Sequence, residues 1–336
     1  MRVKTKKPVT LALVGAWHVH TNGFIKEFQK TRSEAAVFKR VWDTDPERGQ
    51  RFAKMLQATW TPDFSAIFND PEIDGVMIEA ETSRHKELIQ QAAAAGKHIF
   101  TDKILAPSVS EAEDILAHTN KAGIVCCVSH ESLTRPDYRY AKRLMDEGWF
   151  GDVVSYYFRR SHGHAKTDRL PSSWFDPATA GGGALIDLGV HGISLAVYLF
   201  GEPDHINSHL RSLVKKNVED TATVSMTYQH LPVIAVSHTN LVSSVMDNYL
   251  EIIGTDGSLY VIGDRDPELT LYDKHGEKSS VSSADLTETD LIPLIRWIDV
   301  LTGTDTETSL HEAGLSFSAG VSVVRTVSAA YQNSRP

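Results

Sequence analysis

Cysteine is nearly absent: of 336 residues only Cys126 and Cys127 carry a thiol. Neighbouring cysteines seldom bridge, so the fold does not rest on disulfides. The pair reads as reduced, buried thiols of a cytosolic protein. No stretch reaches the roughly 18 consecutive apolar residues that a membrane-spanning helix needs. No block of about five or six like charges marks a basic arm or acidic tail. The net charge of −9 repels phosphate backbones, which argues against nucleic acid as a partner. Only 22 glycines and 13 prolines are scattered through the chain, too few for a collagenous or low-complexity protein.

The amino-terminal end has the outline of a signal peptide, with Arg2, Lys4, Lys6 and Lys7 before the apolar stretch Val9–Trp17. Thr10 interrupts that stretch, His18 and His20 follow it, and no small-residue cleavage site is present. It reads instead as a buried first strand.

What the chain does contain is an ordinary globular balance, 41% hydrophobic and 23% charged, over a length that suggests about two domains. Up to about residue 128, short apolar runs alternate with helical patterns. Val9–Val14, Ala36–Trp42, Gly75–Ile78, His98–Thr101 and Ile124–Val128 read as strands. Pro46–Leu56, Arg84–Ala95 and Ser110–Lys121 read as helices, the last with Ser110 and Glu113 at capping-box spacing. Such alternation predicts a parallel sheet covered on both faces. Beyond residue 130 a helix over Pro136–Glu147 gives way to period-two strands. Ala222, Val224, Met226 and Tyr228 point one way and the intervening Thr and Ser residues the other. Asp256-Gly257 marks a hairpin, and one apolar helix is inserted at Ala184–Phe200.

Three segments carry candidate chemistry. The turn after the first strand reads Gly15-Ala16-Trp17-His18-Val19-His20, with Gly15 at the first position of a dinucleotide loop and Trp17 and His20 at the other glycine positions. It is either such a loop or an ordinary strand-to-helix turn. Asp43 ends the second strand, where a carboxylate accepts hydrogen bonds from an adenosine ribose and repels a 2′-phosphate. No arginine directly adjoins it, which favours NAD over NADP; alternatively Asp43 only starts a turn. Lys103 follows the strand His98–Thr101, at the edge where open parallel sheets bind ligands. Asp187 and His191 lie four apart on an otherwise apolar helix that opens at Gly181-Gly182-Gly183. Two ionisable groups in such a place either work as an acid/base pair, form a structural pair, or belong to an incomplete metal site.

Together these segments resemble the glucose–fructose oxidoreductase, inositol dehydrogenase and MocA (Gfo/Idh/MocA) family over nearly the whole chain. Lys97-His98-Ile99-Phe100-Thr101-Asp102-Lys103 is similar to its Glu-Lys-Pro region, and Gly181 through His191 to its G-G-G-x-x-x-D-x-x-x-H segment. Two departures are Trp17 for a loop glycine and Asp102-Lys103-Ile104 for Glu-Lys-Pro. The resemblance implies an α/β fold: an N-terminal Rossmann domain over residues 1–129, and a C-terminal α+β domain with a large, mostly antiparallel open sheet over 130–336. It implies Lys103, Asp187 and His191 as the catalytic set. Gly15, Ala16, Trp17, His18, Asp43, Ala80, Glu81, Thr82, His85, Asp102 and Lys103 become cofactor contacts, with NAD preferred to NADP and no metal expected. Between the strand Val153–Arg159 and the glycine run, Arg160, His162, His164, Lys166 and Trp174 are the substrate-specificity candidates, with His130 as a further substrate contact. The expected activity is NAD-dependent oxidation or reduction at a secondary hydroxyl or ketone of a sugar, inositol or polyol. A redox-neutral NAD-dependent glycosidase and a non-catalytic ligand sensor are the alternatives. A cytoplasmic homodimer or homotetramer joined through the C-terminal sheet completes the expectation.

Overall fold

The computed structural model describes residues 8–167, 169–214, 216–282, 286 and 292–335. The basic residues Arg2, Lys4, Lys6 and Lys7 lie outside them. The chain divides into two compact units, Met1–His130 with Leu291–Val321, and Glu131–Asp290 with Ser322–Pro336.

The first unit is built on six parallel strands: β1 (Val9–Val14), β2 (Ala36–Trp42), β3 (Thr59–Trp60), β4 (Gly75–Ile78), β5 (His98–Asp102) and β6 (Cys126–Ser129). Their order is β3-β2-β1-β4-β5-β6, so the direction of winding reverses between β1 and β4. β1 and β4 are buried at every position, which is why they read as unbroken apolar runs. Local signals set the helix ends. The Asp45 side chain accepts the Glu47 and Arg48 N–H groups ahead of Pro46. The helix Val109–Ala122 is capped by Ser108, which accepts the Glu111 N–H, so the cap lies two residues before the expected Ser110. Cys126 and Cys127 are both free thiols.

The units are not the two consecutive segments expected. Residues near the carboxyl end return to the first unit because the helix Pro293–Thr302 belongs to its core. Leu294, Ile295, Trp297 and Ile298 pack with Leu11, Leu13, Met77 and Phe100. Gly75 makes room for it: a Cβ there would come within 2.9 Å of the Trp297 ring.

The second unit holds a nine-stranded sheet: β7 (Val153–Ser161), β8 (His205–Arg211), β9 (Thr221–Thr227), β10 (Ile234–Asn240), β11 (Asp247–Gly254), β12 (Gly257–Ile262), β13 (Glu268–Asp273), β14 (Lys278–Val281) and β15 (Ser334–Arg335). The order is β14-β13-β12-β11-β7-β10-β9-β8-β15, antiparallel except where β10 meets β7 and β15 meets β8. Burial alternates strictly along β9, as its period-two pattern predicts. The helix Val190–Phe200 covers one face, where the Tyr156 hydroxyl donates to the Gly192 carbonyl at 2.8 Å. The helical stretch Pro177–Phe200 is long and apolar enough to cross a membrane, but most of it is packed inside the unit as a core helix.

Candidate active site

In the first unit the loop after β1 lies against the end of β4. Gly15 has φ +82°, and a Cβ there would come within 2.6 Å of the Ala80 backbone, so both conformation and space require glycine. Trp17 and His18 donate their N–H groups to the Glu79 carbonyl at 2.9 and 3.2 Å. The Trp17 indole is packed away, 8% exposed. Asp43, at the end of β2, accepts the Ala16 N–H at 2.7 Å and the Asp45 N–H at 2.7 Å. Its two oxygens also take Nε and Nη2 of Arg48 at 2.9 and 2.6 Å. Glu81 closes the same corner, accepting the Thr44 hydroxyl at 2.9 Å.

The end of β5 forms a second group. Asp102 is buried; its Oδ2 lies 2.7 Å from His18 Nδ1 and 3.0 Å from His20 Nδ1. Its Oδ1 accepts the Lys103 N–H at 2.7 Å. Burial opposes the Asp102 charge, but the two imidazoles outweigh it and hold the carboxyl well below its usual range. Burial also lowers the His18 pKa to about 4, so the ring is neutral near pH 7. These three donors lie within 4.8 Å of one another. Two ligand atoms of one tetrahedral zinc stand roughly 3.3 Å apart, further than these contacts, so the cluster reads as a hydrogen-bonded triad. The Lys103–Ile104 peptide is cis.

In the second unit the segment Leu185–Gly189 forms a π-helical turn that runs into the helix Val190–Phe200. It carries Asp187, 9% exposed, and leads to His191, 2% exposed. Glu219 organises the start: its carboxylate accepts the Gly183 and Leu185 N–H groups at 3.1 and 2.9 Å and the Tyr331 hydroxyl at 2.8 Å. A Cβ on Gly183 would collide with the Glu219 carbonyl, so this glycine serves packing inside the unit. His191 Nδ1 is 2.8 Å from Ser132 Oγ, which in turn accepts Nη1 of Arg160 at 3.2 Å. His162 Nε2 lies 3.9 Å from Asp187 Oδ2, and its ring stacks on His164 at 3.8 Å. Burial lowers the His162 pKa to about 4.

Four of the expected contact residues are largely buried in the structure. His85 is buried and turns both ring nitrogens to backbone carbonyls, Nδ1 to Ile104 and Leu105 and Nε2 to Ala80, so it braces two strand ends. Thr82 is buried at the start of a short 3₁₀ turn. His130 belongs to the first unit, with Nδ1 2.9 Å from the Gly314 carbonyl and a buried Nε2 that has no hydrogen-bond partner among the described residues. Trp174 is 4% exposed. Arg48, Ser132 and Glu219 are the additions. Of these, Arg48 was signalled by Asp45-Pro46, which starts a helix and puts residue 48 in its first turn.

Comparison with known proteins supports the same reading. Residues 9–130 match the model described as oxidoreductase family, NAD-binding Rossmann fold, and residues 138–260 match the GFO/IDH/MocA C-terminal domain. A scyllo-inositol 2-dehydrogenase (NAD(+)) of Bacillus subtilis is 28% identical over 253 residues, covering 72% of each chain. A levoglucosan dehydrogenase of Pseudarthrobacter phenanthrenivorans is 31% identical over 53% of this chain and 46% of its own. Among solved structures, a levoglucosan dehydrogenase in complex with NADH and levoglucosan superimposes with TM-score 0.83 at 21% identity, covering 97% of both chains. An inositol dehydrogenase homolog complexed with NAD+ from Azotobacter vinelandii gives 0.84 at 20% identity, covering 98% of this chain and 96% of that one. With both halves matched in order, the chain belongs to the GFO/IDH/MocA family of NAD-binding oxidoreductases.

Proposed function

We propose that this protein oxidises a secondary hydroxyl of a sugar, inositol or related polyol, or reduces the corresponding ketone, with NAD as hydride carrier. The observation that carries the reading is the buried pair Asp187 and His191, with His191 Nδ1 held on Ser132. An imidazole so fixed, on an apolar helix, is suited to take up and return a proton. The inositol and levoglucosan dehydrogenases among its relatives support the substrate class.

The residues of the first unit fit a dinucleotide. Gly15 lets the loop turn tightly against Ala80, at the reversal of strand order where such cofactors bind. Asp43 at the end of β2 is the ribose candidate, and Ala16, Trp17, His18, Ala80, Glu81 and Asp102 complete the proposed contacts. The bound nicotinamide would accept or donate the hydride. His191 takes the hydroxyl proton in oxidation and returns it in reduction. Asp187 tunes that transfer, and Lys103 orients the reacting oxygen and supports its charge. His162 and His164 supply polar contacts to the substrate.

The protein is further proposed to be a cytoplasmic homodimer or homotetramer. In support, β7, β11, β12 and β13 carry half-buried Tyr157, Tyr249, Tyr260 and Tyr272 on the sheet face opposite the buried Tyr156. The two free thiols suit a reducing compartment. The test of function is a panel of inositols, aldoses and sugar acids with NAD or NADP, following the absorbance of reduced nicotinamide. NAD-dependent reduction by one polyol class is expected. Hydrolysis without net NADH, or ligand binding without turnover, would overturn the reading.

A further inference from the structure

Along β7 the side chains alternate, and Tyr156 and Phe158 are fully buried on the face covered by the helix Val190–Phe200. Arg160 is next on that face. Its Nη1 donates to Ser132 Oγ at 3.2 Å, and the same oxygen lies 2.8 Å from His191 Nδ1. One hydroxyl therefore separates a guanidinium from the proposed proton-transfer imidazole.

Among the described residues, Arg160 has no close counter-ion. The carboxylate within ion-pair range, Asp264, stands 4.0 Å from its Nη2. That same Asp264 oxygen is 2.8 Å from Arg135, which also pairs with Asp137 at 2.8 Å. A guanidinium presents five donors, and Arg160 commits one of them at hydrogen-bond distance. Its side chain is 25% exposed, so the guanidinium is half-buried and not sealed from solvent. Guanidinium geometry matches a carboxylate through two parallel hydrogen bonds, which a neutral hydroxyl cannot imitate.

We propose that the physiological substrate carries a carboxylate and that Arg160 binds it, so that the substrate class is a sugar acid or polyol acid and not a neutral sugar. This rests on the dehydrogenase reading and deepens it. Arg160 acts as a specificity determinant: it selects the anion and, through Ser132, couples its docking to the orientation of His191.

The test uses tag-free protein with NAD and matched pairs that differ by one carboxylate, D-glucose with D-glucuronate and D-galactose with D-galacturonate. In wild type the acid of a pair is expected to have the higher kcat/KM. In Arg160→Gln the acid should lose roughly 100-fold more than its neutral partner, chiefly through KM, with KM for NAD unchanged. Arg160→Lys keeps the charge without the fork and should recover part of the preference. Calorimetric binding of each acid to the NADH complex runs in parallel and needs no turnover. Equal use of both partners, an equal loss in Arg160→Gln, or a raised KM for NAD overturns the inference while the dehydrogenase reading stands. Acid binding that depends on Arg160 without any NAD reduction would remove the dehydrogenase reading and keep the carboxylate site. Neither turnover nor acid binding overturns both.

Discussion

Arg48 closes on Asp43 through two hydrogen bonds, one to each carboxylate oxygen, at 2.6 and 2.9 Å. The same carboxylate holds the Ala16 and Asp45 N–H groups, so one side chain ties the loop after β1 to the end of β2. A ribose that hydrogen-bonds to Asp43 must share it with Arg48. Asp43→Ala removes the anchor of the loop and leaves Arg48 with the Thr44 hydroxyl at 3.2 Å and Glu81 at 3.8 Å in place of its close carboxylate. The expected outcome is a fall in kcat/KM for NAD of roughly 10- to 100-fold, with NADP reduced less. The check is the NAD to NADP ratio of kcat/KM in both proteins; equal losses would remove Asp43 from cofactor selection.

Gly15→Ala tests the loop from its backbone. The substitution puts a Cβ at φ +82° and within 2.6 Å of the Ala80 Cα. Left-handed strain in a non-glycine residue costs about 1–3 kcal/mol, and the collision adds to it. The variant should unfold at lower denaturant concentration and bind NADH more weakly. Wild-type stability together with wild-type NADH fluorescence enhancement would show that the loop has another way to turn.

The legible part of this molecule was what local pattern encodes. The all-buried β1 and β4 appeared as apolar runs, and the alternation of β9 as period two. Asp187 and His191 stood out because charge is costly on an apolar helix. Choice of distant partner left no local trace. Ser132 meets His191 across 59 residues, and His20 meets Asp102 across 82. Trp297 enters the core of the first unit through a gap at Gly75 that no periodicity announces. The glycine run marks where the helix of Asp187 and His191 opens, but the neighbour that needs Gly183 to lack a side chain is the Glu219 carbonyl, 36 residues away.

Acid should weaken the fold through His18. Burial lowers its pKa to about 4 from the ordinary 6.5, so the unfolded chain binds the extra proton first as pH falls. Stability from this group is intact above pH 6.5 and is lost progressively down to about pH 4. By about pH 5 the loss through His18 amounts to about 2 kcal/mol. Urea midpoints at pH 7 and pH 5 measure it, and His18→Gln should flatten the difference. An unchanged pH dependence in that variant would mean that folding does not shift the His18 pKa.

Glu219→Gln probes how the helix bearing Asp187 is held. The carboxylate accepts two backbone N–H groups and the Tyr331 hydroxyl. All three donors meet on Oε1, which an amide oxygen can replace, but the amide NH2 then takes the Oε2 place beside the Gly183 N–H and the charge that strengthens these bonds is lost, at a cost of about 1–3 kcal/mol. Thermal unfolding should shift down, and kcat should fall as the π-helical turn loosens. Retained kcat with reduced stability would confine Glu219 to support of the fold.

The proton-transfer assignment is tested by Lys103→Ala and His191→Ala. Removing a general acid or base costs roughly 100- to 10,000-fold in kcat, whereas neither side chain is assigned to hold the adenosine half of the cofactor. Turnover should therefore collapse in both variants while NADH affinity, read by fluorescence titration, stays within about threefold. The two losses should also fall short of additive in the double variant, because groups that serve one proton transfer act as a unit. Full additivity would mean that Lys103 and His191 act in separate steps, and undiminished turnover in either single variant would strike that residue from the mechanism.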